Sequence, residues 1–171
     1  MSIVFLDIEV STSDNKILDL GAVNDYDAEI HTPSQGDFFN FVKDAEFVGG
    51  HNIINHDLKY LAHLKLGKKK IVDTLYLSPL MFPKRPSHKL LKDDKILSDA
   101  LNNPLLDARK SKELFYDEVN AFKALDENLK EIYSCLLKET TEFKGFFEFL
   151  GYSVDSKKFW GFFQKNTNDK G

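Results

Sequence analysis

The chain has 171 residues, 42% hydrophobic, 13% aromatic and 29% charged, with a formal net charge of −4 at neutral pH. That length and apolar content suit one well-filled core and exclude a disordered or fibrous chain. The lone cysteine, Cys135, excludes an intrachain disulfide and a cysteine-based zinc site, and no apolar run approaches a membrane span, so a soluble cytoplasmic protein with Cys135 in its core is expected.

The stretch VFLDIEV reads as a strand over residues 3–8 covered on both faces, because Val4, Phe5, Leu6, Ile8 and Val10 are β-branched, aromatic or aliphatic. Side chains alternate along a strand, so Asp7 and Glu9 share one face while Ile8 takes the other. Two like charges on one face repel and are costly to desolvate, unless a cation lies between them or the strand has reached solvent. After the turn-rich STSDN, residues 16–24 and 28–32 read as two further strands joined at NDYD. GDFFNFVKD is a short amphipathic helix and FVGGH a short strand. HDLKYLAHLKLG reads as one helix closed by Gly67, and residues 70–73 as another strand.

The net charge hides an asymmetry. Between Lys65 and Lys95, nine basic residues stand against three acids, a local +6 that leaves −10 on the remainder. Such a distribution suits a protein that holds a phosphate backbone with one surface and cations with another, although a lysine run alone is also what a solvated loop shows. Pro79, Pro83 and Pro86 make the stretch after Leu77 irregular, and Lys84, Arg85 and His88 fall inside it.

From Pro104 the pattern is helical: PLLDARKSKELF, then DEVNAFKALDENLKEIYSCLLKE, then FKGFFEFLG. Strands, then alternating helices and strands, then helices indicate an α/β layer fold. Phe146, Phe147 and Phe149, with Trp160, Phe162 and Phe163, could stack bases, but the helical spacing of the first three is that of a packed face. The polar tail TNDKG is expected to fray.

Two more acids sit at helix starts, Asp57 after GGHNIINH and Asp107 in NNPLLDA. Singly, each is explained by capping of free helix amides. Together the motifs resemble those of the DEDD superfamily of 3′–5′ exonucleases. FLDIEV resembles the first motif, GHNIINHDLKYL the second and LNNPLLDA the third, while IVDTLYLSPLMFPKRPSHKLL resembles the connection found in proofreading exonucleases such as the DNA polymerase III epsilon subunit.

The resemblance covers about residues 3–115. It implies a ribonuclease H-like α/β fold with a mixed central sheet, to which the helical pattern beyond about residue 120 adds a C-terminal extension that the resemblance does not explain. It also implies that Asp7, Glu9, Asp57 and Asp107 hold two Mg²⁺ or Mn²⁺ ions, which want hard carboxylate oxygens. The expected partner is the single-stranded 3′ end of a nucleic acid, DNA before RNA, with Asn52, Lys84 and Arg85 as contacts and no membrane involved. Residues 1–120 are expected to form the exonuclease-like domain, with 121–171 as the extension, in a chain that could belong to a larger helicase or repair protein.

Two features depart from the family pattern. Asn52 precedes Asp57 by five residues rather than four, implying a one-residue insertion. In the third motif the general base, a His five residues before the last acid or a Tyr four before it, is replaced by Asn102 and Asn103, and an amide side chain takes no proton near neutral pH. Three readings stay open: Asn102 orients water while the metals do the rest, His88 reaches in as base, or the site binds without cutting. His56, read as helical, is expected to point away from Asp57.

Overall fold

The computed structural model describes residues 2–90 and 103–154. Five strands form one sheet: β1 (Ile3–Val10), β2 (Ile17–Asn24), β3 (Glu29–Thr32), β4 (Phe47–Gly50) and β5 (Lys70–Asp73). Their order is β3-β2-β1-β4-β5. Strand β2 runs antiparallel to β1 and β3, whereas β4 and β5 run parallel to β1. The helices are α1 (Gln35–Val42), α2 (Asp57–Tyr60), α3 (Thr74–Met81), α4 (Pro104–Ala124), α5 (Glu127–Leu137) and α6 (Lys144–Leu150). This mixed sheet flanked by helices is the ribonuclease H-like α/β architecture, and α6 packs against β5 at Gly145.

Strand alternation sorts the core into two layers. Ile3 and Phe5 of β1 join Val23, Phe47 and Val72 under α3, α4 and α6, which contribute Leu77, Phe115, Phe122 and Phe146. Val4, Leu6 and Ile8 point the other way, into a second layer with Phe38 and Val42 of α1 and with Ile53, Leu61 and Leu66. Asp7 and Glu9 therefore continue the face of Ile3 and Phe5, the one covered by α4. Phe115 is the hub of that layer, its ring centroid 5.3 Å from that of Phe5 and 4.9 Å from that of Phe149. Phe146 and Phe147 are buried core, as the helical spacing implied; Trp160, Phe162 and Phe163 lie outside the described residues.

Helix α4 differs from its expected form. The pattern suggested a break after Phe115, but Phe115, Val119 and Phe122 keep one stripe against the sheet and the helix runs unbroken for 21 residues. Its start is fixed by Asn103, whose Oδ1 accepts from the amides of Leu105 and Leu106, and by Pro104 in the first turn. Its flank is tied to the β2–β3 hairpin: Arg109 pairs with Glu29, Lys112 donates to Asp27 and to the Asn24 carbonyl, and the Tyr116 hydroxyl donates to Asp25.

Other boundaries shift for identifiable reasons. The stretch after Leu77 stays helical to Met81 because Asp73 caps α3 and Leu77 and Met81 pack one turn apart into the core, while Pro79 faces solvent. The helix expected over HDLKYLAHLKLG is one α-turn followed by two 3₁₀ turns, separated by Lys65 at φ 55°. Leu61 and Leu66 are both buried, and a spacing of five residues does not fit a single α-helical stripe. Cys135 is half-buried on α5 rather than in the core. Among the described residues no helix is long and apolar enough to cross a membrane.

Candidate metal centre

The acids of β1 come together with α4 because a glycine lets the helix reach the sheet. Asp7 pairs in register with Gly21 of β2. A Cβ on Gly21 would lie 2.1 Å from the Leu105 nitrogen and 2.3 Å from the Pro104 carbonyl carbon, so the first turn of α4 rests directly on the strand at that point. Asp107, two residues further on, is thereby carried to β1. Carboxylate oxygens of Asp7, Glu9 and Asp107 lie within 4.8 Å of one another, and all three residues are half-buried. Three converging carboxylates are a hard-oxygen donor set that fits a divalent cation such as Mg²⁺ or Mn²⁺.

Asp57 is not one of these three. It is 1% exposed, and its Oδ1 accepts from the Ile8 amide at 3.1 Å, the peptide nitrogen between Asp7 and Glu9. The cause lies in the sheet. Pairing of β1 with β4 ends at Phe5 and Gly49, so β1 outruns its parallel neighbour and the carboxylate of Asp57 takes an amide that β4 does not reach. Asp57 opens α2 without capping it by its side chain. Burial raises its pKa from the ordinary value, opposed by His56 and the Ile8 amide.

His56 corrects another expectation. It precedes α2 rather than lying on it, and its Nδ1 is 3.7 Å from Asp57 Oδ2 instead of pointing away. The Asp57 carboxylate raises its pKa. Asn102 lies outside the described residues; Asn103 is committed to capping α4. Asn52 sits in the left-handed region at φ 65°, with its side-chain oxygen accepting from Asn55 at 3.3 Å. Lys84 and Arg85 are exposed, and the Arg85 guanidinium stacks 3.9 Å from the Phe82 ring centre. His88 Nδ1 is hydrogen-bonded to Ser78 Oγ at 2.9 Å.

Several residues that shape the site are not among the candidates named from the motifs. Asp73, fully buried, accepts from the amides of Asn52, Ile54 and Leu75 at 2.8–3.0 Å, and so fixes the loop that delivers Asp57. Burial raises its pKa, opposed by those three amides. Across the sheet from Glu9 stands Asp19, whose Oδ2 is 2.6 Å from His31 Nε2. The signal for Gly21 was in the sequence, since a glycine inside a strand pattern marks a close backbone approach. Nothing in the local sequence marks Asp73 as a buried acceptor of three amides.

No protein-family model matches the chain, and no curated protein matches it. Among solved structures, the chain is similar to the family B DNA polymerase from the hyperthermophilic archaeon Pyrobaculum calidifontis, with a TM-score of 0.43 and 16% identity over 77% of this chain. The match spans 27% of that polymerase chain.

Proposed function

We propose that this chain is a metal-dependent 3′–5′ exonuclease that hydrolyses phosphodiester bonds at nucleic-acid 3′ ends, DNA before RNA. The observation that carries the reading is the meeting of Asp7, Glu9 and Asp107 on one face of the sheet, where the core ends. A pair of Mg²⁺ or Mn²⁺ ions is the cofactor this donor set suits, and Asp57, bonded to the peptide between Asp7 and Glu9, would complete it. Bound divalent ions supply Lewis-acid activation of the attacking water and stabilisation of the leaving 3′ oxygen. The chain's own residues would hold the ions through four carboxylates from three separate segments and the strand through Lys84, Arg85 and Asn52, with Asn102 at the position of the usual base, where it would orient water. The test is Asp7→Ala on a 3′-tailed oligonucleotide with Mn²⁺: trimming is lost, and unchanged trimming overturns the assignment.

One observation favours a second reading. Asn103 is tied up as the α4 cap, so one of the two residues that replace the usual base has no part in proton transfer. On this reading the module binds the strand and cuts weakly or not at all, as part of a larger repair machine. Asn102→His distinguishes the two, because a large gain of trimming places the natural protein with the non-cutting modules.

A further inference from the structure

The segment from Phe82 to Leu90 carries Lys84, Arg85 and Lys89 in nine residues. It has no regular secondary structure, yet it is anchored from below at His88. His88 Nδ1 is hydrogen-bonded to Ser78 Oγ on α3, and the His51 imidazole lies against the His88 main chain. His51 Nδ1 is in turn 2.9 Å from Thr74 Oγ1, which reaches the Gly50 carbonyl at 3.3 Å. His51 opens the very loop that delivers Asp57, so one side chain joins that loop, the start of α3 and the basic segment. Burial holds the His51 pKa down to about 4, which keeps it neutral.

Above the anchor, the segment and α4 form the walls of a cleft of about 310 Å³. Arg85 and Lys89 line it on one side, and Lys110, Glu113 and Asp117 on the other. Lys110 is one turn from Asp107, whereas Glu113 and Asp117 lie further along the helix. Lys110 thus brings one of the three cations of the cleft to the end nearer the acid cluster, where a phosphate backbone on its way to that cluster would pass.

We propose that His51 and His88 are positioning residues that lock the Phe82–Leu90 segment, so that Arg85 and Lys89, with Lys110 opposite, grip the phosphates of a single strand entering the acid cluster. The inference rests on the nucleic-acid reading above. It gives His88 a task distinct from proton transfer.

The test is binding of a labelled single-stranded DNA oligonucleotide in EDTA, followed by anisotropy over a range of salt, with KM and kcat for trimming measured in Mn²⁺. Arg85→Ala and His88→Ala each weaken binding about fivefold or more, and the salt slope falls by about 0.7 for each phosphate that is no longer neutralised. KM rises while kcat holds. His88→Asn, whose carboxamide keeps a hydrogen bond to Ser78, recovers most of the affinity. Ser78→Ala supplies a variant without change at either histidine: trypsin cuts faster after Lys84 and Lys89 while Tm stays within about 2 °C. If His88→Ala binds normally while Arg85→Ala does not, or if Ser78→Ala is cut no faster, the lock is wrong and the nuclease reading stands. A fall in kcat of about 100-fold at unchanged KM would place His88 in the chemistry instead. Failure of the natural protein to bind the oligonucleotide overturns the functional reading, and the lock with it.

Discussion

Gly21 and Leu105 touch so closely that no side chain fits between them: a Cβ on Gly21 would stand 2.1 Å from the Leu105 nitrogen. Because Gly21 pairs with Asp7, this contact sets how near Asp107 comes to β1. Gly21→Ala must push the first turn of α4 outward. The expected outcome is a loss of about 1–3 kcal/mol of stability together with a fall in Mn²⁺ affinity. Melting and calorimetric titration check both, and unchanged Mn²⁺ binding would separate the glycine from the site.

Asp57 serves the fold as well as the proposed chemistry. Asp57→Ala leaves the Ile8 amide buried without its acceptor, at a cost of about 1–3 kcal/mol. Asp57→Asn keeps an oxygen for that amide, so its melting temperature stays near that of the natural protein while trimming falls. Equal destabilisation by the two variants, read by urea unfolding, would mean that the amide bond is not what holds Asp57.

Glu118 lies on α4 three turns beyond Asp107, fully buried, and neither of its oxygens has a hydrogen-bond partner. Burial chiefly, with the negative charge of Asp73, raises its pKa from 4.5 to about 10. Since the folded value is the higher, folding carries no penalty below the unfolded pKa and loses stability as pH climbs towards the folded one. Each unit costs about 1.4 kcal/mol, which amounts to about 3 kcal/mol at neutral pH. Glu118→Gln should flatten the decline in unfolding free energy between about pH 5 and about pH 9, and a variant with the same slope as the natural protein would show that the carboxyl is not the source.

The ties between α4 and the β2–β3 hairpin differ in worth. Tyr116 is half-buried and donates to a carboxylate, so Tyr116→Phe costs about 1.5–3 kcal/mol. The pair of Arg109 and Glu29 is exposed to solvent and screened, so Arg109→Ala costs less than Tyr116→Phe. Chemical denaturation ranks them, and the reverse order would contradict the burial argument.

How much of this was readable beforehand depends on the range of the interaction. Alternation along β1 placed Asp7 and Glu9 on one face, and the fold bears that out, since the rule needs only neighbouring residues. The start of α4 was legible for the same reason, with Asn103 and Pro104 adjacent to it. Its length was not: the polar run after Tyr116 resembles a new start, and only the long-range stripe of Phe115, Val119 and Phe122 against the sheet overrides it. The position of Asp57 depends on where β4 stops pairing with β1, a matter of register that no local pattern encodes. The roles of Asp73 and His51 are likewise tertiary, each linking segments about 20 residues apart.

Helix α4 begins at the acid cluster and ends deep among the aromatic rings, so one rigid rod belongs to both. An ion drawn to Asp107 would bias the same rod that organises the hydrophobic interior. Occupancy and global unfolding then become thermodynamically linked, and saturation at a hundred times the dissociation constant would add about 2.7 kcal/mol. A simple heating curve with and without chelator thus reports on the carboxylates, even where no nucleic acid is present.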